Sequence, residues 1–381
     1  MSKPENRPSR CLARIDLSAI EHNARALREI WGAERALMAV VKADAYGHGL
    51  EAVVRVLSDQ VEMFAVASLA EALCLQQNCA AAAKDIFLLG PALPSEYQEV
   101  IDNNLIAPIS NLQEAESFNR LAAKHNTQQR VHLAIDTGMG RIGTDSDNTS
   151  AFFDQVKIFE NLSIEGLFSH FPCADESDES FTLAQIGQFK QVTKLFRQHY
   201  PAAKHIHIAN SAGLLRFAEQ LDFTTMARPG LALYGVAPGG YGQSQLKPAM
   251  TLKTRIALIR EVPSGQSISY GRTFITNRRP TTQVATLSVG YGDGYLRQLS
   301  GKGVEVLIAG QRCPLLGTIT MDQIMVDVSD LTISAKVGDE AILLGSQGDE
   351  QITALEMAEK ADTIAWQVFT SISKRVKRVY D

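Results

Sequence analysis

The sequence predicts an α/β protein: an N-terminal (β/α)8 TIM-type barrel followed by a mainly-β domain. Strand-like apolar runs alternate with helical patterns eight times within about 200 residues, which suits a closed parallel barrel better than an open doubly wound sheet. Chemically unusual residues follow these runs, at the end of the barrel where such sites are built. After a glycine- and proline-rich stretch, short runs rich in Val, Ile and Thr indicate a β-domain.

The N-terminal part begins with a short strand at Arg14–Leu17. Ser18 is a suitable N-cap for a helix that continues to about Trp31. Several of the eight barrel strands are continuous apolar runs, as expected where helices cover both faces of a sheet. We predict them at Met38–Lys42, Met63–Ala67, Asp85–Leu89, Leu105–Ile109, Val131–Ile135, Ile164–His170, His205–Ala209 and Phe223–Ala227.

The stretch Ala237–Gly242 is interpreted as a linker, because glycine and proline interrupt the alternating pattern there. This divides the chain into a polar tail at residues 1–12, a barrel at 13–240 and a β-domain at 241–381. In the β-domain we predict strands at Thr251–Val262, Ser267–Phe274, Gln283–Val289, Val304–Ile308, Ile324–Val328 and Glu340–Leu344. Helices are predicted near Thr353–Glu359 and Thr363–Ser373, and Arg375–Tyr380 closes the chain.

Composition and charge exclude several classes of function. The 381 residues are 45% hydrophobic and 21% charged, with a net charge of −5, which is typical of a globular protein with two domains. The scattered lysines and arginines argue against nucleic acid or an anionic membrane as a partner. No apolar run approaches the ~18 residues of a membrane span, and Met1–Arg10 lacks the apolar core of an export signal.

The cysteines indicate a reducing compartment. They are five, an odd number, and their spacing is not that of a zinc site. We therefore expect reduced thiols in a cytoplasm and no bound metal. The five are Cys11, Cys74, Cys79, Cys173 and Cys313.

Lys42 is the first candidate catalytic residue. It directly follows the apolar run Met38–Val41. An amine at the end of a buried strand is partly desolvated, which lowers its pKa and leaves a neutral amine that can condense with an aldehyde. The alternative is a strand whose last side chain simply reaches solvent, since most lysines lie at the surface.

The full string Lys42-Ala-Asp-Ala-Tyr46-Gly-His-Gly resembles the cofactor-lysine motif of the alanine racemase family, whose members bind pyridoxal phosphate (PLP). The resemblance extends from about Ala13 to Tyr380, with motifs of both domains in the expected order. It implies that Lys42 holds PLP as a Schiff base and that Tyr46 contacts the phosphate.

A PLP site also needs a phosphate cradle. The Ser211 hydroxyl and the N–H groups of Gly230 and Leu231 can complete it, because glycine permits close approach and a helix start favours an anion. Asn210 and Ser211 follow the seventh strand, where barrels commonly bind phosphate. Taken alone, such a pair is more often only a helix cap.

Arg228 is the candidate partner of the pyridine nitrogen. The segment Met226–Gly235 resembles the family segment whose arginine faces that nitrogen, although an isolated arginine there can be a surface cation or the partner of a barrel acid. Because arginine can only donate, it keeps the ring nitrogen unprotonated and the cofactor a weak electron sink. We infer that return of the proton is favoured over transamination and decarboxylation.

Two further residues of the barrel enter through the resemblance. His170 follows the sixth strand, and in the family the corresponding histidine lies along the PLP ring; an isolated strand-end histidine is more often structural. Arg141, in the string Asp136-Thr-Gly-Met-Gly-Arg141, matches an arginine that contacts the phenolic oxygen of PLP on the substrate side.

The β-domain contributes a candidate second base. Racemisation needs acid–base groups on both faces of the α-carbon, and Lys42 serves only one. The string Ser269-Tyr270-Gly271 resembles a family motif whose tyrosine is supplied by the partner subunit, although Tyr270 alone fits a hairpin aromatic. Met321 and Asp322 resemble a segment that lines the substrate carboxylate site, again across a homodimer.

Two positions depart from the family pattern. Many members have a carbamylated lysine bonded to the arginine corresponding to Arg141; this chain has Ala134 there, so a chloride or another acid is expected beside Arg141. Trp366 replaces a tyrosine that lies near the phosphate and the substrate. Because an indole can only donate a hydrogen bond, we expect pocket shape and substrate preference to differ.

The residues and the resemblance together predict a homodimeric PLP-dependent amino-acid racemase. The resemblance implies alanine as the substrate and a role in supplying D-alanine for peptidoglycan. A barrel-type amino-acid decarboxylase is the nearest alternative, and Arg228 and Tyr270 argue against it. A PLP-binding homeostasis protein would resemble a barrel without the β-domain. A racemase preferring serine or larger amino acids, or an inactive relative, also fits Ala134 and Trp366.

Overall fold

The computed structural model describes residues 9–78 and 84–381. Residues 1–8 of the predicted tail, and Cys79, lie outside these ranges. The described chain forms two compact units. Residues 18–45 and 50–247 form the barrel unit, and residues 9–17, 46–49 and 248–381 form the β unit.

The barrel unit contains the eight predicted strands, which confirms the fold class. Their continuous apolar sequences are buried along most of their lengths, as expected for a parallel sheet covered by helices. The strands are Ala36–Val40, Met63–Val66, Asp85–Leu88, Ala107–Ile109, Gln129–Asp136, Leu162–Phe168, His205–His207 and Met226–Ala227.

Parallel pairing joins these strands into a closed ring. Met226–Ala227 pairs with Ala36–Val40, and pairing then proceeds through the next two strands in chain order. A bridge between Phe87 and Ile106 continues the ring to the remaining strands. The ring closes where the Arg228 N–H donates to the Ala209 carbonyl at 2.9 Å. Residues that follow the strands therefore meet at one mouth of the barrel.

Helices alternate with the strands, as the 3.6-residue apolar spacing predicts. The first begins at Leu17, one residue before the predicted cap Ser18, and buries Ile20, Leu27 and Trp31 on one face. The helices are Leu17–Trp31, Leu50–Leu57, Leu69–Asn78, Tyr97–Asp102, Leu112–Lys124, Thr149–Val156, Ser180–His199 and Ser211–Phe217. Short 3-10 turns at Leu231–Tyr234, Pro238–Gly240 and Gln243–Gln245 occupy the segment around the predicted linker.

The β unit is built around the long strand Met250–Pro263. This strand pairs antiparallel with Cys11–Ile15, Thr281–Leu287 and Glu340–Gln347. Cys11–Ile15 also pairs in parallel with the last strand, Lys377–Tyr380. The other strands are Glu305–Ile308, Gln311–Pro314, Ile324–Asp327 and Glu350–Ile352, and the helices are Ala354–Lys360 and Ala365–Thr370.

One predicted strand of this unit was wrong. Ser267–Phe274 is two short paired strands, Ser267–Ile268 and Phe274–Ile275, joined by a turn at Tyr270–Arg272. Ser269, Gly271 and Arg272 have positive φ, which an extended strand cannot contain. Tyr270 therefore lies at the tip of a hairpin.

Candidate active site

The lysine turn connects the first barrel strand to the next helix. The strand ends at Val40, two residues earlier than predicted, and Lys42 begins a helical turn that continues to Gly47. This turn is left-handed: φ is 54° at Ala43 and 53° at Tyr46. Left-handed turns cost L-residues roughly 1–2 kcal/mol each, so the turn depends on outside contacts.

Lys42 is half-buried at this mouth. Its pKa is held below the usual range, first by burial and second by the positive charge of Arg141, while the negative charge of Glu71 opposes the shift. A lowered pKa increases the fraction of neutral amine, which is the form that attacks a carbonyl carbon and accepts a proton. The electrostatics thus fit the role predicted for Lys42.

Arg228 is buried beneath the barrel mouth. Its Nη2 donates to the Ser169 carbonyl at 2.8 Å and to His170 Nδ1 at 3.0 Å, and its Nη1 donates to His207 Nδ1 at 2.6 Å. Burial lowers the pKa of Arg228 to about 9, which leaves it protonated at neutral pH. The guanidinium is therefore held in one orientation as a hydrogen-bond donor.

Two histidines continue from Arg228 into the barrel interior. Because arginine only donates, His207 Nδ1 accepts, and His207 Nε2 donates to His132 Nδ1 at 2.8 Å. Burial holds the pKa of both imidazoles well below the usual value, so both are neutral. His132 Nε2 has no hydrogen-bond partner within the described chain. These histidines fix Arg228 from behind and were not predicted.

His170 lies between Arg228 and the mouth. Its Nδ1 accepts from Arg228, and burial together with the charges of Arg228 and Arg141 holds its pKa well below the usual value. The imidazole is therefore neutral, with its proton on Nε2. A neutral ring of this kind can pack along another flat ring, as the resemblance implies.

The loop that carries Arg141 is shaped by an acid. The Asp136 carboxylate accepts the N–H groups of Gly138, Met139 and Gly140 at 2.8 to 2.9 Å. Arg141 itself is exposed, and among residues 9–78 and 84–381 no acid forms an ion pair with it. The expected replacement acid is thus not seen in the described chain.

Ser211 is placed as a phosphate-cradle residue would be. Its Oγ accepts the N–H of Gly230 at 2.9 Å and that of Ala232 at 3.2 Å. Since both lone pairs are used, the hydroxyl hydrogen is left to donate to an anion. Leu231 begins the adjacent 3-10 turn, so its peptide lies at the same helix start.

Asn210 has the structural role that the sequence left open. Its Oδ1 accepts the Gly213 N–H at 2.9 Å as an N-cap, and its Nδ2 donates to the Phe171 carbonyl at 3.2 Å. Both ends of the amide are engaged. Asn210 therefore positions the segment that carries Ser211.

In the β unit, Tyr46 and Trp366 are hydrogen-bonded. The Trp366 indole donates to the Tyr46 hydroxyl, while burial of that phenol raises its pKa above the usual value. Gly47 follows with φ of 76°, and a Cβ there would lie 2.6 Å from the Phe369 carbonyl oxygen. Only glycine suits this position, which fixes the Tyr46 backbone against the helix Ala365–Thr370.

Tyr270 is 71% exposed at its hairpin tip. Its carbonyl accepts the Thr318 hydroxyl at 3.1 Å, and the Ser269 hydroxyl donates to the Thr318 carbonyl. The backbone is therefore anchored while the phenol is presented to solvent. An aromatic ring so exposed is not part of the core of this unit.

Met321 and Asp322 lie together in another loop of the β unit. Met321 is half exposed, and Asp322 is paired with Arg375 at 2.7 Å and with Arg10 at 3.4 Å. Both arginines also pair with the buried Asp293. The Asp322 carboxylate is thus already neutralised by two arginines.

Metal clusters and membrane-spanning helices are both absent from the described residues. Across the described residues, no group of three or more His, Cys, Asp or Glu side chains could hold a metal ion. In the same part of the chain, no helix has the length and apolar composition needed to cross a bilayer.

Three contributors to the site were missed by the sequence analysis. His132 and His207 interrupt apolar strands, and a buried polar residue in such a run was the available signal. Glu71 lies in the string Ser68-x-x-Glu71, which predicts a helix cap but no contact with the lysine turn. The sequence does not show that these three residues lie close to Arg228 or to the lysine turn in the folded chain.

Comparison with known proteins agrees with this geometry. The family model "Alanine racemase, N-terminal domain" matches residues 15–238, and "Alanine racemase, C-terminal domain" matches residues 249–380. An alanine racemase of Halothermothrix orenii is 42% identical over 384 residues, covering 100% of this chain and 98% of the relative.

Solved structures give the same result. The crystal structure of alanine racemase from D-cycloserine-producing Streptomyces lavendulae has a TM-score of 0.89 at 34% identity, covering 99% of this chain and 98% of that one. The alanine racemase of Bartonella henselae, with covalently bound pyridoxal phosphate, has a TM-score of 0.88 at 30% identity, covering 98% and 100%.

Full-length similarity of this kind, together with the barrel fold, defines a PLP-dependent isomerase of amino acids. The first family model ends at residue 238, within the predicted linker, and the second begins at residue 249. The chain belongs to the alanine racemase family.

Proposed function

We propose that this chain interconverts L- and D-alanine as a homodimer, using Lys42 and Tyr270 of the partner subunit as the two acid–base groups. The observation that carries the proposal is Lys42 at the barrel mouth, with its pKa lowered by burial and by Arg141. The names of the relatives support alanine as the substrate.

PLP is the cofactor, and it supplies electron withdrawal that weakens the bond between the α-carbon and its hydrogen. The residues present fit it: Ser211 has its hydroxyl hydrogen available, and Gly230 and Leu231 lie at the adjacent helix start. Tyr46 completes the proposed phosphate contacts. Arg228 would donate to the pyridine nitrogen, and neutral His170 would pack along the ring.

The chain's own residues divide the proton transfers. Lys42 Nζ, once released from the cofactor, takes or returns the α-proton on the face of the D-enantiomer. The phenol of Tyr270 from the partner subunit does so on the opposite face. The exposed, backbone-anchored tip that carries Tyr270 supports this, because it leaves the hydroxyl free to enter another subunit's site.

We propose that the substrate side comprises Arg141 and Trp366 together with Met321 of the partner subunit and Asp322 of the partner subunit. Arg141 brings an exposed positive charge near Lys42, which suits an amino-acid carboxylate. Because Asp322 is neutralised by Arg10 and Arg375, its loop can approach a carboxylate without repelling it.

The remaining proposals concern context. We infer that the barrel unit and the β unit are the two functional parts of each subunit, with bounds that differ from the predicted 13–240 and 241–381 at residues 13–17, 46–49 and 241–247. A cytoplasmic location agrees with the free thiols at Cys11, Cys74, Cys173 and Cys313. A role in supplying D-alanine for peptidoglycan rests on the proposed activity.

The experiment that tests the two-base proposal is hydrogen exchange at the α-carbon in deuterated water. Wild-type enzyme is expected to exchange and racemise both enantiomers, as followed by NMR and circular dichroism. Tyr270→Phe is expected to retain exchange from D-alanine and lose exchange from L-alanine by at least about 100-fold, the usual contribution of a general base.

The result for Tyr270→Phe decides the assignment. Equal loss from both enantiomers, or no loss, would contradict a tyrosine specific to one face. Faster turnover of L-serine than of L-alanine by the wild type would retain the mechanism and replace the substrate. Mixing Tyr270→Phe with Lys42→Ala subunits is expected to restore activity only if the two groups come from different subunits.

A further inference from the structure

Glu71 connects the lysine turn to the rest of the barrel. It is in the first turn of the helix Leu69–Asn78, which follows the second barrel strand. Its Oε1 accepts the N–H of Ala43, the first peptide after Lys42, at 2.7 Å. Its Oε2 accepts the N–H of Ala67 at 2.8 Å. A single carboxylate therefore bridges the turn and the end of the neighbouring strand.

The left-handed turn needs a contact of this kind. Strained backbone persists only where surrounding contacts hold it in place. Within the turn, the Ala45 N–H donates to the Val41 carbonyl at 2.9 Å, which is a neutral bond. The bond to Glu71 is charge-assisted, hence stronger, and it acts on the peptide next to Lys42.

We propose that Glu71 is a positioning residue for Lys42, because its carboxylate locks the peptide that follows the lysine. This rests on the proposed function, in which Lys42 Nζ transfers the α-proton. Glu71 touches neither cofactor nor substrate in this role. Its negative charge also acts on Lys42, opposing the effects of burial and of Arg141.

The chain supplies a matched control in Glu114. This glutamate has the corresponding place in the helix Leu112–Lys124, where its Oε2 accepts the Ser110 N–H at 2.7 Å and its own N–H donates to Asn111. Its other oxygen accepts from the Asn111 side chain at 2.9 Å instead of from the lysine turn. Glu114→Gln therefore perturbs an equivalent helix start without touching Lys42.

The first measurement is amide hydrogen exchange of the PLP-loaded full-length enzyme. Glu71→Gln is expected to speed exchange of the Ala43 amide about tenfold or more, since a bond to a charged group is lost. Glu114→Gln is expected to leave that amide unchanged. Equal exchange at Ala43 in the wild type and Glu71→Gln would overturn the proposal.

The second measurement is kinetic. Misplacement of a catalytic group by about 1 Å costs on the order of 100-fold, so kcat of Glu71→Gln is expected to fall by about that factor with little change in KM. The pH midpoint of the lysine-bound cofactor absorbance is expected to move down, because a negative charge near Lys42 is removed. Equal kinetic losses in both variants would overturn the proposal, since they would reflect helix capping alone.

A second variant, Glu71→Asp, keeps the proposal testable if Glu71→Gln does not fold. Glu71→Asp keeps the charge but is one methylene shorter, so it cannot bridge both peptides; faster exchange at Ala43 supports the proposal and unchanged exchange contradicts it. The exchange readout needs no turnover. If the wild-type enzyme had no racemase activity, the proposed function would be refuted. Amide exchange at Ala43 would still show whether Glu71 holds the lysine turn.

Discussion

The hydroxyl of Tyr46 shows how one substitution alters the hydrogen bonding of a site. In the family pattern a phenol stands where this chain has Trp366. The indole donates to Tyr46, so the Tyr46 oxygen is used as an acceptor. Trp366 therefore acts on the proposed phosphate contact through Tyr46.

We expect Trp366→Tyr to change the ratio of kcat/KM for L-alanine to that for L-serine by about 10-fold or more, because pocket shape and one hydrogen bond both change. Trp366→Phe serves as the comparison, since it keeps a ring and removes the donor. Initial rates by circular dichroism on both substrates provide the measurement. Ratios within twofold of the wild type in both variants would show that Trp366 does not set preference.

The lysine turn illustrates how a secondary-structure element can be imposed by its neighbours. Its residues, Ala43 to Tyr46, include no glycine, yet all have positive φ. Gly47 ends the turn at φ of 76°, against the Phe369 carbonyl. Propensity alone would not form this element; packing and hydrogen bonds hold it.

Gly47→Ala is expected to destabilise the enzyme by about 2 kcal/mol or more, combining a disfavoured φ with a Cβ placed 2.6 Å from a backbone oxygen. Gly265→Ala is the control, because Gly265 has φ of 86° but open space around its Cβ position. Urea unfolding of both variants gives the difference. Equal losses of stability in the two variants would mean that the contact with Phe369 adds nothing to the cost of the disfavoured φ angle.

Across the molecule, buried histidines make stability depend on pH. Burial holds the pKa of His132 and of His207 well below 6.5 in the folded state, whereas the unfolded chain has the ordinary value. The unfolded state therefore binds more protons once the pH falls below about 6.5. The contribution of these two neutral histidines to the free energy of unfolding is fully present above that pH and is lost as the pH falls below it.

We expect the free energy of unfolding to fall by roughly 1.4 kcal/mol per pH unit for each of these histidines between about pH 6 and pH 5. Urea titrations of the PLP-saturated enzyme at several pH values measure the slope. His207→Asn is expected to reduce it by about one proton, and the same change at exposed His125 serves as control. If the pH dependence of the unfolding free energy is the same in His207→Asn as in the wild type, His207 takes up its proton in the folded state as readily as in the unfolded state.

The order of strands and helices could be predicted because it depends on local patterns. Most barrel strands are predominantly apolar, and their observed ends differ from the predicted ones by a few residues. Ser267–Phe274 was mispredicted because the positive φ of the non-glycine residues Ser269 and Arg272 cannot be read from the sequence. Lys42 and Ser211 were predicted as site residues because their neighbours in the sequence resemble family motifs.

The sequence alone determines three things: the alternating barrel, the β-rich C-terminal part and the family of the chain. These follow from apolar periodicity and short motifs, which are local. The support behind the site is different: Glu71 beneath the lysine turn, and His207 and His132 behind Arg228. Hydrogen bonds between residues far apart in the chain exist only after the barrel closes, so folding alone decides them.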